Sequence, residues 1–227
     1  MIKKLPYVVA LGFACCTLNL SAATESLNDA QQASNKTAFK LTKAQTQLKT
    51  RLTLLENLQA DFSQKVFDNT GAEIMQGAGF LKLNRPEKLY WKQTSPDETL
   101  LVSDGTKTFY YDEFAEQVTI LNSKQLIDNT PFALLTSNDD NLWHNYSVNN
   151  SENVFVITPN TDRQSQVERL ELTFSDDLLT SMKVFDNTGQ TSVYVFSKQQ
   201  LNQPIDDAFF KFTIPADVLV DDQSQGE

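Results

Sequence analysis

Leu100-Leu101-Val102-Ser103-Asp104-Gly105-Thr106-Lys107-Thr108-Phe109-Tyr110-Tyr111 is the stretch that decides the fold class. Two runs of β-branched, aliphatic and aromatic residues flank an Asp-Gly pair. A two-residue turn of the primed kind needs positive φ at both central positions, and this pair tolerates that better than most. The stretch reads as a β-hairpin, and the same texture extends from it in both directions. Upstream, strands are expected around Phe62–Phe67, Ile74–Leu83 and Leu89–Lys92, the first pair joined by the turn sequence Asp68-Asn69-Thr70-Gly71. Downstream they follow at Val118–Leu121, Trp143–Val148, Val154–Thr158, Arg169–Phe174, Leu178–Phe185, Ser192–Ser197 and Phe210–Ile214. Short strands at near-regular spacing imply an antiparallel sheet that curls into a sandwich or barrel.

Two regions break the strand pattern. Leu41, Ala44, Leu48, Leu52, Leu55 and Leu58 recur every three or four residues among Lys43, Gln45, Lys49 and Arg51, which predicts an amphipathic helix of about four turns. Residues 122–140 predict short helices near Ser123–Ile127 and after Pro131, where proline suits a first helical position. Lys65-Val66-Phe67-Asp68-Asn69-Thr70-Gly71 recurs letter for letter as Lys183 through Gly189. Because the flanking residues do not follow, two hairpins that converged on one turn solution explain the repeat better than duplication does. Several strands, such as Val193-Tyr194-Val195-Phe196, are apolar on both faces. That pattern fits a barrel with a helix packed on it, and it fits equally a two-layer core with no cavity.

The N-terminus reads as an export signal. Met1-Ile2-Lys3-Lys4 precedes an apolar run from Leu5 to Leu20, too short and interrupted to span a bilayer, and Ser21 and Ala23 suit cleavage before Thr24. Residues 24–40 are a polar leader with little periodicity, leaving 41–227 as the folded domain. Both cysteines, Cys15 and Cys16, fall inside the signal, so the exported domain must be held by its core alone. Cys15 also raises a lipid-anchor reading, against which Gly12 and Phe13 match a lipidation signal poorly.

Net charge is −10, and the signal holds two lysines and no acid, so the remainder is more acidic still. This argues against nucleic acid, which needs a basic patch, and against lasting attachment to an anionic membrane. Chemistry is sparse. His144, the single histidine, has no adjacent nucleophile motif and cannot assemble a His-based metal site. Asp97-Glu98, Asp139-Asp140, Asp176-Asp177, Asp206-Asp207 and Asp221-Asp222 read as solvated loop or tail charges, and no glycine-rich phosphate loop occurs. No enzyme and no cofactor are expected.

An ordered set of short words carries a resemblance. Phe62-Ser63-Gln64-Lys65, Gln76-Gly77-Ala78-Gly79, Asn84-Arg85-Pro86 with Trp91 beyond, Ser95-Pro96-Asp97-Glu98 and Leu101 to Gly105 are followed by Phe114-Ala115-Glu116-Gln117, Asn129-Thr130-Pro131-Phe132, Val156-Ile157-Thr158-Pro159 and Val220-Asp221-Asp222-Gln223. Over about residues 44–223 the chain resembles the LolA family of periplasmic lipoprotein carriers. The resemblance implies a mainly β (α+β) fold: an incomplete antiparallel β-barrel with a long N-terminal helix and a short helical lid over a hydrophobic cavity. It implies a soluble, monomeric periplasmic chaperone that takes lipoproteins from an inner-membrane ABC transporter to an outer-membrane receptor.

It further implies that Arg85 latches the lid through backbone groups. Leu52, Phe62, Leu89, Trp91 and Leu101 would line the acyl cavity, and Phe132, Leu134 and Leu135 would belong to the lid. Without the resemblance, Arg85 beside Glu87 is a surface ion pair and the apolar set is ordinary core. Leu89 departs from the aromatic that the family pattern leads one to expect. The alternatives are a lipid-anchored receptor of the same fold and a periplasmic lipoprotein-sensing regulatory domain.

Overall fold

The computed structural model describes residues 40–123, 133–160 and 165–225. The signal, nearly all of the leader, all but the first residue of the helix expected at Ser123–Ile127, and Phe132 lie outside them. In order come α1 (Lys43–Thr53), β1 (Asn57–Phe67), β2 (Glu73–Asn84), β3 (Lys88–Ser95), β4 (Thr99–Asp104), β5 (Lys107–Asp112), β6 (Gln117–Asn122) and α2 (Ala133–Thr136). Then follow β7 (Tyr146–Ser151), β8 (Val154–Pro159), β9 (Val167–Ser175), β10 (Leu178–Asp186), β11 (Thr191–Leu201) and β12 (Leu219–Gln223). The twelve strands of the described residues form one open sheet in the order β12-β6-β5-β4-β3-β2-β1-β11-β10-β9-β8-β7. Two antiparallel meanders, β1 to β6 and β7 to β11, are joined by the β1–β11 pair, and β12 adds a parallel strand beside β6.

Period-two alternation sorts the side chains onto two faces. Leu58, Ala60, Phe62, Gln64 and Val66 of β1 share one face and are buried. Register puts Leu81, Leu83, Leu89, Trp91, Leu101, Leu172, Met182 and Tyr194 on the same face. Helix α1 packs there through Leu48 and Leu52, beside Leu134, Leu142 and Trp143, and these residues form the main core. On the opposite face the segment before β12 packs on β3 and β5. Phe209 packs on Tyr90 with ring centroids 5.6 Å apart, Phe212 packs on Phe109 at 5.4 Å, and Phe210 is buried.

The helix is shorter than its sequence period. Thr42 caps it, accepting from Gln45 N at 3.2 Å while the Gln45 amide accepts from Thr42 N at 2.8 Å, a reciprocal capping box. It ends at Thr53, because Asn202 accepts from Glu56 N at 3.0 Å and donates to Leu54 O at 2.9 Å. That side chain ties the helix exit to the end of β11. Leu58 therefore sits in β1, opposite Leu201 and Leu83, and the expected fourth turn is replaced by strand.

Three further expectations are corrected. Trp143 and His144 lie in a 3-10 turn, Asp140–Asn145, capped by Asp139, and the strand starts only at Tyr146. Phe210 closes a second 3-10 turn, Asp207–Phe210, and residues 211–214 are not strand. Asp221 and Asp222 belong to β12 instead of a tail. At the opening hairpin only Gly105 has positive φ, at +94°. Asp104 Oδ1 closes that turn by accepting from Thr106 N at 2.7 Å and Lys107 N at 2.8 Å, so a side chain does what a second positive φ was expected to do.

Candidate functional site

At the centre of the inner face three aromatic rings meet. Phe62 and Trp91 lie 4.5 Å apart between centroids, Trp91 and Tyr194 5.2 Å, and Phe62 and Tyr194 5.8 Å. Space for them comes from β2. A Cβ on Gly79 would lie 2.6 Å from Phe62 Cζ and 2.1 Å from Lys92 O, so the ring and the neighbouring strand occupy the place of a side chain. Leu52, Phe62 and Leu134 are buried in the main core, with Leu89, Trp91 and Leu135 partly buried against it. Leu101 is buried opposite Trp91 but outside that cluster.

Tyr194 and Trp143 were not singled out from sequence as lining residues. The signal for Tyr194 was the alternation Ser192-Tyr194-Phe196, which puts it across from Gln64. The signal for Trp143 was masked by its assignment to a strand. Beside the rings a polar pair interrupts the apolar surface: Gln64 Nε2 donates to Tyr194 Oη at 2.9 Å. Burial, eased slightly by a hydrogen bond with Ser192, pushes the Tyr194 phenol up to about 12.

Arg85 stands at the β2–β3 turn, where three elements converge. Its Nη1 donates to Leu52 O of α1 at 2.7 Å, and its Nη2 donates to Ser137 O just past α2 at 2.5 Å. Nη2 and Nε also reach Asn138 Oδ1, at 2.8 and 3.2 Å. Helix ends present unpaired carbonyls, and a planar guanidinium carries five donors and no acceptor, so one side chain serves both helix exits. Burial alone pulls its pKa down from the ordinary value. The backbone reinforces the contact, since Glu87 N donates to Thr136 O at 3.0 Å. No Arg85–Glu87 ion pair occurs among the described residues. A cleft of about 540 Å³ opens beside this junction, lined by Leu52, Leu55, Asn84, Arg85, Ser137 and Trp143 among others.

Buried polar contacts also tie the segments on either side of α2 to the rest of the fold. Gln45 Nε2 donates to both Trp143 O and Tyr146 O at 3.0 Å, fixing α1 to the segment that follows α2. Ser123 Oγ lies 3.1 Å from Ser103 Oγ and 2.9 Å from Thr108 Oγ1, all three buried.

The site is thus an open sheet with an apolar inner face, a short helix across it and an arginine joining two helix exits. The family model for the outer membrane lipoprotein carrier protein LolA matches residues 53–213. The chain belongs to the LolA family. An outer-membrane lipoprotein carrier protein of Pseudoalteromonas translucida is 47% identical over 182 residues, covering 79% of this chain and 88% of that protein. One from Shewanella halifaxensis is 38% identical over 180 residues, covering 79% and 86%. A solved LolA superfamily protein from Nitrosomonas europaea superposes with a TM-score of 0.46 at 14% identity, over 75% of this chain and 99% of that one.

The words that carry the LolA resemblance fall at defined places. Phe62–Lys65 and Gln76–Gly79 face each other across β1 and β2, Asn84–Pro86 forms the Arg85 turn, and Phe114–Gln117 is the tip between β5 and β6. Leu89, where this LolA-family chain departs from the expected aromatic, keeps its place on the inner face between Leu83 and Ser103.

Proposed function

We propose that this chain is a periplasmic, non-enzymatic carrier. It is exported through residues 1–23, works as a monomer and moves lipoproteins from an inner-membrane ABC transporter to an outer-membrane receptor. The sheet acts as an incomplete barrel. Acyl chains lie against its inner face near Phe62, Leu89, Trp91 and Leu101, and α1 with the segment around Phe132, Leu134 and Leu135 closes over them as a lid.

The observation that carries this reading is Arg85, whose hydrogen bonds to Leu52 O and Ser137 O join α1 to the exit of α2 over an apolar interior. Burial of acyl chain is worth ~0.8 kcal/mol per methylene, so a dozen methylenes hold cargo in its membrane by roughly 10 kcal/mol. A carrier must match most of that and still let go. Here the empty state supplies the counterweight: the interior is closed by its own side chains, and cargo must displace contacts that re-form on release.

Replacing Arg85 with leucine removes the directional donors and keeps an apolar stem. Charge-assisted hydrogen bonds are worth roughly 1–3 kcal/mol each, and the variant loses them chiefly from the closed, empty state. Its equilibrium shifts toward the open, loaded form. In reconstituted membranes Arg85→Leu is expected to accept lipoprotein normally and deliver it poorly, with Arg85→Lys intermediate because it keeps charge without the planar fork. Unchanged delivery by the leucine variant would make Arg85 a structural contact and nothing more.

A further inference from the structure

The most exposed large apolar residue among those described is Phe114, 77% accessible at the turn between β5 and β6. A single exposed apolar residue means little, but this one has neighbours. Leu219, 64% exposed, donates its N–H to Glu116 O at 2.9 Å and pairs with Gln117 at the start of β12, and Val220 beside it is also exposed. Tip and edge strand are thus joined, and exposed Phe114 and Leu219 make a short apolar strip at an edge of the described sheet, while Val220, the next residue of the strand, faces the other side.

The tip is held in shape. Asp112 Oδ1 accepts from Ala115 N at 2.9 Å, Glu113 N reaches Glu98 O at 3.3 Å, and Glu116 turns the chain with φ of +51°. A preorganised anchor loses less entropy when it docks than a mobile one. Its rim is acidic. Asp112, Glu113 and Glu116 surround Phe114 in sequence, and the nearby base, Lys92, is already committed to Glu98 and Glu113 and largely buried.

Strand direction places this strip at the end of the sheet away from Arg85. Lys88 at the start of β3 pairs with Asp104, whereas Asp112 at the tip pairs with Thr99 and Gln117. A partner bound here need not touch the Arg85 junction.

We propose that Phe114 and Leu219, rimmed by Asp112 and Glu116, form a docking surface for the protein partner that loads the carrier, and that this partner presents an apolar socket edged with Lys or Arg. The inference rests on the carrier reading. An acidic rim disfavours an anionic membrane surface and favours a cationic protein one. Loading, not delivery, is the step it suits, because the loading partner must recruit a carrier that is still empty and closed, which calls for a surface independent of the closure.

The test uses the full exported chain with proteoliposomes that contain the lipoprotein-releasing transporter, and separately with receptor-containing acceptor vesicles. Phe114→Ala should slow loading by roughly tenfold or more, as truncation of a central aromatic anchor does. Glu116→Lys should also slow it and weaken its dependence on salt. Thermal unfolding, delivery of lipoprotein pre-loaded in detergent, and association with protein-free anionic vesicles should stay as in the wild type. Unchanged loading in both variants overturns the docking surface while leaving the carrier reading intact. A parallel loss of affinity for protein-free vesicles overturns it in favour of a lipid contact. Failure of the wild type to hold detergent-presented lipoprotein overturns the carrier reading itself, and this proposal with it.

Discussion

Gly79 shows how much of the interior is decided by the lack of one atom. Its place on the inner face is filled by the Phe62 ring and approached by the backbone of β3, with Lys92 O at 2.1 Å from where a Cβ would stand. A side-chain tip could move aside, but a carbonyl held in the β2–β3 ladder cannot without breaking pairing. Gly79→Ala is therefore expected to destabilise the fold by about 2–4 kcal/mol, as overpacking with backbone displacement does. A urea titration checks this. An unshifted midpoint would mean that β3 has slack that the geometry denies. Gly71 is the contrasting case, since its φ is +82° and nothing stands within 4 Å of the missing Cβ, so alanine there meets backbone strain without collision.

At the scale of elements, the repeated heptapeptide gives an internal control. Asp68 Oδ1 accepts from Thr70 N, Thr70 Oγ1 and Ala72 N at 2.9, 2.6 and 3.0 Å. Asp186 Oδ1 accepts from Thr188 N, Thr188 Oγ1 and Gln190 N at 2.9, 2.7 and 2.9 Å. The turns also sit side by side, because β1 pairs with β11 and a Cβ on Gly189 would come within 3.0 Å of Asn69 Cβ. Asp68→Ala and Asp186→Ala should each cost about 1 kcal/mol in chemical denaturation, and nearly the same amount. A large inequality would show that one turn carries strain that the other lacks.

Such turns were legible in the sequence because everything that fixes them lies within five residues. The hairpin at Asp104-Gly105 was legible for the same reason. The end of α1 was not, because the residue that terminates it, Asn202, is far away in the chain, and Leu55 and Leu58 satisfy helical and strand spacing alike. Phe210 carries a strand's pattern and yet closes a 3-10 turn, because an aromatic run looks the same whether it pairs in a sheet or lies across one. Arg85, known from sequence through a resemblance alone, owes its partners to two helix exits that no local pattern announces.

For the molecule as a whole, the charge balance sets how stability responds to pH. The acids whose pKa lies below the ordinary range, Asp68, Glu73, Glu98, Asp207 and Asp222, are all on the surface, so solvent screens what they contribute. Deeper in the fold, two phenols have shifted pKa values. Tyr194 is pushed up to about 12 chiefly by burial, and Tyr110 to about 12 by burial with help from Asp112, against the ordinary value of 10.0.

A group whose folded pKa exceeds its unfolded one binds its proton more tightly in the fold. Its contribution is complete below the unfolded value and is lost as pH rises through the folded value, here between about pH 10 and 12. For Tyr194, partly buried on the inner face, the difference is at most on the order of 3 kcal/mol. Lys92 acts in the same direction: burial lowers its pKa, but Glu113 and Glu98 outweigh that and raise it. The protein should tolerate mild acid and lose stability steeply in strong alkali. Tyr194→Phe removes the phenolic proton, so its urea midpoint should fall less than that of the wild type between pH 10 and 12. Parallel curves for the two proteins, or a Tyr194 that ionises near pH 10 in the folded state, would mean that water already reaches the centre of the inner face.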